Sequence, residues 1–517
     1  MMYNKIEAKH TCTVIHNYRK GNCVKLEHFF SMWDKAYFRY YPKAIRYDQD
    51  KKELIIPRGY PLKRLEFLFN SRAFVNRSCD PYDFGLQLKL RYLPRDMVQK
   101  EAISFITGKG KYSYTAAKSQ LAINLNTGAG KTYVTVVASA ILGLRAIMIT
   151  SSLDWIRQWK DRITEYTDTQ PNEIYELVGS ASIAKVLNGM VHIKDYKYIL
   201  ASHQTIKSYG DKYGWNKVGE LFCLLRVGIK IYDEAHLDFD NICDIDFSTD
   251  TYKTLYLTAT PARSDRDENV IYQASFQTVP AIDLFNDETD PRTNYLAISY
   301  TSHPTPMDVE RCKNLYGFDR LAYCSYIIHK PEFYKLIRSL IELILKKGKT
   351  LIYLATNEAI MTVYVWLCHS YPELANDIGI YTTLIKDKQQ KRSMLDKMII
   401  LSTTKSCGAA MDIKGLKMTI VLAEPFRSEV LARQTLGRTR DNNTDYVEII
   451  DRGFFAMTNY YKAKYPIFQK YALSMSFSKL SDYDLDDMYY KALRLQQLRY
   501  QANNSEKKLV NFIHYDT

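Results

Sequence analysis

Thr127-Gly128-Ala129-Gly130-Lys131-Thr132 stands between an apolar run at residues 121–125 and a helix-like stretch at 133–142. Small residues let backbone N–H groups close around phosphate oxygens at the N-terminus of a helix. In that setting Lys131 reaches the β- and γ-phosphates of a nucleotide and Thr132 holds Mg²⁺. The order apolar strand, small-residue loop, helix therefore predicts a phosphate-binding loop in an α/β domain. The full pattern asks for Gly or Ala at its first position, where this chain has Leu125. A lone Gly-Lys-Thr arises by chance in a chain of 517 residues, so the reading depends on what surrounds it.

Further along, residues 229–232 read as a buried strand that delivers Asp233-Glu234-Ala235-His236 at its carboxyl end. One carboxylate there takes a metal through water and a second activates an attacking water. Asp233 is assigned to Mg²⁺ and Glu234 to the general base, with His236 beside them as a further catalytic candidate. Next, residues 255–257 lead into Thr258-Ala259-Thr260-Pro261, whose hydroxyls are placed to couple the nucleotide site to a neighbouring one.

Working outward, short apolar segments alternate with longer helical ones from about Leu86, the signature of a parallel sheet. Strands are predicted at 146–150, 198–202, 227–232, 254–258, 350–355, 398–402 and 419–423. They fall into two groups around an Asp-, Asn-, Thr- and Pro-rich stretch at 286–294. The expected organisation is an N-terminal accessory domain at 1–85, two α/β domains at 86–288 and 289–470, and a helical extension at 471–517. In that extension Ser481 and Asp484 resemble a capping box, and Leu485, Met488, Ala492 and Leu495 share one helical face.

The first sixty residues hold twelve Lys or Arg against six Asp or Glu, with eleven aromatics among them. Such a mixture suits a nucleic-acid surface, and it equally suits a small α+β domain whose aromatics are its core; the two are compatible. Lys plus Arg number 71 against 57 Asp plus Glu, a net +14 that favours a polyanionic partner. Nine scattered cysteines lack the spacing of a zinc set and read as reduced thiols of a cytoplasmic protein. No run approaches the ~20 apolar residues of a spanning helix, so no membrane role is expected.

Taken in order, these segments resemble the superfamily 2 helicases over residues 90–451. The resemblance implies two tandem RecA-like parallel-sheet domains that bind ATP with Mg²⁺ and move along nucleic acid. Gln99 falls in the segment that reads adenine, ahead of the nucleotide-binding Thr127, Gly128, Ala129, Gly130, Lys131 and Thr132. Ser151, ahead of Gln158-Trp159, and Ser202, in Ser202-His203-Gln204-Thr205, match segments that touch the nucleic-acid backbone. In the second group, 350–356 looks like that domain's opening strand motif. Thr403 and Ser406, with Asp412, are similar to the segment that contacts strand and nucleotide from that side. Gln434 and Arg438 resemble the arginine-finger helix, in which an Arg stabilises charge developing on the γ-phosphate. The family places a second Arg three positions on, which here is Asp441; Arg440 is two positions on and points about 200° away on a helix.

Within the superfamily, residues 258–265 and the basic N-terminal region look most like phage branch-migration helicases of the UvsW type. They also resemble poxvirus transcript-release helicases and restriction-enzyme helicase subunits. The implied partner is branched or duplex DNA, with replication, recombination or transcription proteins, in the cytoplasm of a host cell if the source is viral. An RNA helicase is the alternative, because Asp-Glu-Ala-His does not choose between nucleic acids. A nucleotide-switched binding protein is a further one, although Lys131, Asp233, Glu234 and Arg438 are all retained.

Overall fold

A computed structural model describes residues 4–34, 37–76, 88–125, 129–151, 153–235, 238–258, 266–284, 293–315, 317–407, 413–436 and 443–513. The chain divides into two compact units, Met1–Asp287 and Glu288–Thr517. The division falls inside the polar stretch at 286–294, where no apolar run binds the chain to either side.

The first unit is built on a seven-stranded sheet in the order Ile174–Leu177, Tyr198–Ser202, Ala146–Thr150, Ile229–Tyr232, Lys253–Thr258, Gln120–Asn124, Ala281–Asp283. Every pairing is parallel. Such a sheet is covered on both faces, so its strands read as continuous apolar runs. Their alternation still sorts residues: Ala146 and Met148 join one core with Phe105, Val134 and Trp159. Ile147 and Ile149 join the opposite core with Val218, Leu221 and Phe222.

A five-stranded mixed sheet precedes it, in the order Arg46–Asp48, Glu53–Pro57, Cys12–His16, Lys5–Ala8, Ala73–Val75. A separate hairpin pairs Ser31–Asp34 with Arg39–Pro42. The segment expected as an accessory domain at 1–85 is not cored by its own residues alone. Its core of Ile6, Val14, Phe30 and Leu65 also includes Phe239, Cys243 and Phe247 from the helix Phe239–Ser248 and Ile271 and Tyr272 from the helix Arg266–Ser275. Arg46 bonds Asp244 at 2.8 Å, Lys43 bonds Asp240 and Glu268 at 2.8 and 2.7 Å, and Thr11 Oγ1 donates to Thr249 O at 2.6 Å. The N-terminal strands are thus cored partly by helices of the α/β layer.

The second unit repeats the parallel architecture. Its seven strands run Ile378–Tyr381, Ile399–Ser402, Thr350–Leu354, Met418–Ala423, Thr444–Asp451, Thr293–Tyr300, Ser474–Lys479. All pair in parallel. The fold is therefore two RecA-like parallel-sheet domains with a small mixed-sheet N-terminal domain. Several of these strands carry no plain apolar run. Glu448 lies buried within Thr444–Asp451, where it accepts from Tyr295 Oη at 2.6 Å and pairs with buried Lys464.

The helix Asp482–Ile513 begins at the expected box: Ser481 N donates to Asp484 Oδ2 at 2.9 Å, and Asp484 N donates to Ser481 Oγ at 3.1 Å. Leu485 and Ala492 are buried, whereas Leu495 is exposed. Lys335 to Asp486 and Arg499 to Glu342 tie this helix to Pro331–Lys347.

Candidate nucleotide and nucleic-acid sites

Asn124 ends its strand and the helix Lys131–Leu142 begins directly after Gly130. Gly130 has φ +93°, and a Cβ placed there would lie 2.4 Å from Gln99 Nε2. Only glycine meets both demands, a left-handed backbone and a close approach. Gln99 is buried and both ends of its amide are bonded: Nε2 donates to Ala129 O at 3.1 Å, and Oε1 accepts from Arg95 N at 2.9 Å. Asp96 caps the same helix by accepting from Gln99 N at 2.9 Å. The side chain expected to read adenine thus holds the loop that precedes Lys131. Thr127 and Gly128 lie outside the described residues.

Lys131 Nζ pairs with Glu234 Oε1, joining the start of that helix to the end of the strand Ile229–Tyr232. Both side chains are largely withdrawn from water, which strengthens the attraction between them. Glu234 has φ +50°, a conformation that a glutamate adopts at a cost of roughly 1–3 kcal/mol and that recurs at functional sites. Asp233 beside it is buried, and Oδ2 accepts from Trp159 Nε1 at 3.0 Å. Burial, and after it the charge of Glu234, push the Asp233 carboxyl up, while Lys131 and the indole bond act against the rise. In the sequence Trp159 is legible only as part of a strand-end segment. Its role as a donor to Asp233 is a relation across 74 positions that spacing does not reveal. His236 and residues 259–265 lie outside the described residues.

The predicted nucleic-acid contacts of this unit sit at neighbouring strand ends. Ser151 Oγ donates to Asp238. Ser202 is buried and caps the helix His203–Tyr213, accepting from Thr205 N at 3.1 Å. The exposed side chain of that segment is Gln204. Behind Ser202, His203 stacks on Tyr232 and Tyr232 on Tyr256, with centroids 5.5 and 5.6 Å apart. Burial lowers His203 to about 4, so the ring is neutral near pH 7. Both tyrosine hydroxyls donate to Asp246, which also pairs with Lys230 at 2.5 Å.

In the second unit, Thr403 and Ser406 form one turn: Ser406 N donates to Thr403 Oγ1 at 3.0 Å and Thr403 Oγ1 donates to Ser406 Oγ at 3.1 Å. The turn is held from below by buried Glu424, which follows the strand Met418–Ala423 and accepts from Thr404 N at 2.8 Å and from Thr404 Oγ1. Glu424 carries no such signal in the sequence, where it is a lone acid with no second carboxylate beside it. Gln434 lies on the helix Glu429–Leu436, though its side chain is not described. Asp412, Arg438 and Arg440 lie outside the described residues.

Residues 92–263 match the family model described as Type III restriction enzyme, res subunit. A Haloarcula marismortui protein named as DNA 3'-5' helicase Rad25 is 23% identical over 193 residues, 37% of this chain. That match spans only 26% of the relative's own length. Among solved structures, S. cerevisiae Dbp5 bound to RNA and ADP BeF3 superposes with TM-score 0.50 at 14% identity, over 77% of this chain and 93% of that one. At that identity the likeness speaks to fold alone. T4 UvsW aligns over 93% of this chain and 99% of its own, with 14% identity and TM-score 0.34, too loose to carry an argument for that branch. The family model thus covers about a third of the chain, and the likeness to Dbp5 shows the two-domain parallel-sheet fold.

Proposed function

We propose that this chain is an ATP-driven DNA motor that unwinds or remodels branched or duplex DNA in replication, recombination or repair. The observation that carries the reading is the ion pair between Lys131, at a helix N-terminus, and Glu234, which follows Asp233 past the end of the strand Ile229–Tyr232. The relative named as a DNA helicase favours DNA over RNA. The N-terminal region gives way to the first RecA-like domain at about residue 85 and the first to the second at about 288; of the segment expected from 471 as a helical extension, Ser474–Lys479 is a strand of the second domain's sheet and the helix follows it.

Backbone N–H groups of residues 127–132 hold the β- and γ-phosphates, with Gln99 keeping the loop in place and reading the adenine edge. Lys131 exchanges Glu234 for phosphate when nucleotide enters. Glu234, no longer neutralised, then accepts the proton of the attacking water. Thr132 and buried Asp233 offer hard oxygen donors that fit Mg²⁺. Bound there, the ion would neutralise charge on the β- and γ-oxygens. Arg438 and Gln434 from the second domain stabilise the transferring phosphoryl group, with Asp412 on the nucleotide. Ser151, Gln204, Thr403 and Ser406 contact the DNA backbone, whereas Ser202 acts by capping the helix that carries Gln204. His236 is a further catalytic residue beside Asp233 and Glu234, and the hydroxyls of Thr258 and Thr260 couple the nucleotide site to those contacts. The protein works in the cytoplasm, in keeping with its reduced thiols, beside replication or recombination proteins.

The test is ATP hydrolysis measured in parallel with single-stranded DNA, duplex DNA, forked DNA and RNA. Stimulation by forked DNA above all others is expected; stimulation by RNA alone would replace this reading with an RNA helicase. Lys131→Ala should weaken ATP binding. Glu234→Gln should bind ATP and lose turnover by roughly 10²–10⁴-fold, and wild-type turnover in that variant would refute the base assignment.

A further inference from the structure

The aromatics of the N-terminal region divide into two sets. Phe30, Tyr18 and Tyr60 are buried in the domain core. Trp33, Tyr37, Phe38, Tyr40 and Tyr41 are all exposed, Tyr37 and Phe38 at 71% and 79%, and all lie on or between the strands Ser31–Asp34 and Arg39–Pro42. A two-stranded hairpin is marginal by itself. This one is anchored from behind: Tyr40 stacks on His28 of the helix Val24–Phe29 at 4.1 Å, and Ser31 Oγ donates to Glu27 O at 2.7 Å. Trp33 and Tyr40 are cross-strand partners with ring centroids 5.0 Å apart.

Phe38 has φ +49°. A bulky side chain in the left-handed region is strained, and here the strained backbone turns a ring out into solvent instead of into the domain core. Cations flank the rings. Arg39 lies over Tyr37 with its guanidinium carbon 5.4 Å from the centroid, and exposed Lys25 shares a helix face with His28, three positions on. Apolar rings held in water beside positive charge suit one occupant above others: a polyanion that offers flat, unpaired faces.

We infer that this hairpin is a base-stacking platform that takes the single-stranded arm of branched DNA, with Tyr37 and Phe38 against successive bases and Arg39 and Lys25 against phosphates. The inference rests on the motor reading above and adds the feature that would distinguish a branch from plain duplex.

The experiment uses the full chain and a DNA fork carrying 2-aminopurine in one single-stranded arm, with a blunt duplex and an RNA-armed fork alongside. Wild type is expected to bind the DNA fork and quench the probe by stacking. Tyr37→Ala/Phe38→Ala should abolish the quenching and weaken fork binding by about tenfold, leaving blunt-duplex and ATP binding unchanged. Tyr37→Leu/Phe38→Leu, which keeps apolar bulk without rings, should behave the same way. Variants that bind and quench like wild type overturn the platform while leaving the motor reading intact. A wild-type protein that binds none of the nucleic acids overturns both, and an effect confined to the RNA arm overturns DNA as the occupant.

Discussion

Glu424 shows how one buried group can set the pH response of a unit. Burial raises its carboxyl to about 7, although the two hydrogen bonds from Thr404, and then Arg320 and Lys405, pull the other way. The folded chain therefore holds this proton more tightly than the unfolded chain, whose value lies near 4.5. The stability so gained is complete below 4.5 and is lost as pH rises through 7, to the extent of ~3 kcal/mol. Glu424→Gln keeps the shape without the titration, though it gives up one acceptor at every pH. The fall in Tm between pH 5 and pH 8 should be shallower in this variant than in wild type, and parallel profiles would exclude Glu424 as the source. The loop before Lys131 and the carboxylates Asp233 and Glu234 could be picked out as candidates because each is a local pattern: small residues before Lys131, and two acids directly after an apolar strand. Trp159 on Asp233 and Glu424 on Thr404 could not, because each joins residues that only the folded sheet brings together.

At the level of elements, the strands that could be read in advance were interior and fully buried, such as Ala146–Thr150 and Tyr198–Ser202. Those that escaped are short, interrupted or polar: Ile378–Tyr381 contains Gly379, and Ser474–Lys479 keeps most of its side chains exposed at a sheet edge. The helix Asp482–Ile513 was legible from its start, where serine and aspartate exchange hydrogen bonds. Ser481→Ala removes the acceptor of Asp484 N and should lower the stability of the second unit by about 1 kcal/mol. Limited proteolysis should cut near residue 481 sooner in the variant, and an unchanged cleavage pattern would show that Leu485, Ala492 and the ion pairs hold the helix without its cap.

Across the whole molecule, what sequence could not settle was the fate of the N-terminal aromatics, since core and surface rings share one composition there. Burial separates them, and it also changes what truncation should do. Every nucleotide motif lies beyond residue 85, so removal of the first 85 residues would be harmless if those residues formed a separate body. Removing them instead uncovers Phe239, Cys243, Phe247, Ile271 and Tyr272. A buried side chain of this kind contributes on the order of 1.5–3 kcal/mol, so the shortened protein should melt earlier and tend to aggregate. Calorimetry of the 86–517 fragment checks this, and a Tm equal to that of the full chain would show the shared core to be dispensable.

In the second unit, Thr293–Tyr300 and Ser474–Lys479 lie side by side in register, Asn294 against Ser474 and Ser299 against Lys479. The first and last strands of this unit thus run along neighbouring lanes of one sheet, and its core is drawn from residues 295–485. A piece of chain whose first and last strands close on one another in this way is a cassette: it can be copied, moved into another gene or expressed alone without an edge left open in its middle. The fragment 288–517 should accordingly fold by itself with a cooperative melt. The 86–287 fragment, whose helices are cored by strands it lacks, should not. Should the first fragment prove molten while the second folds, the seam of inheritance in this protein lies elsewhere than between its two sheets.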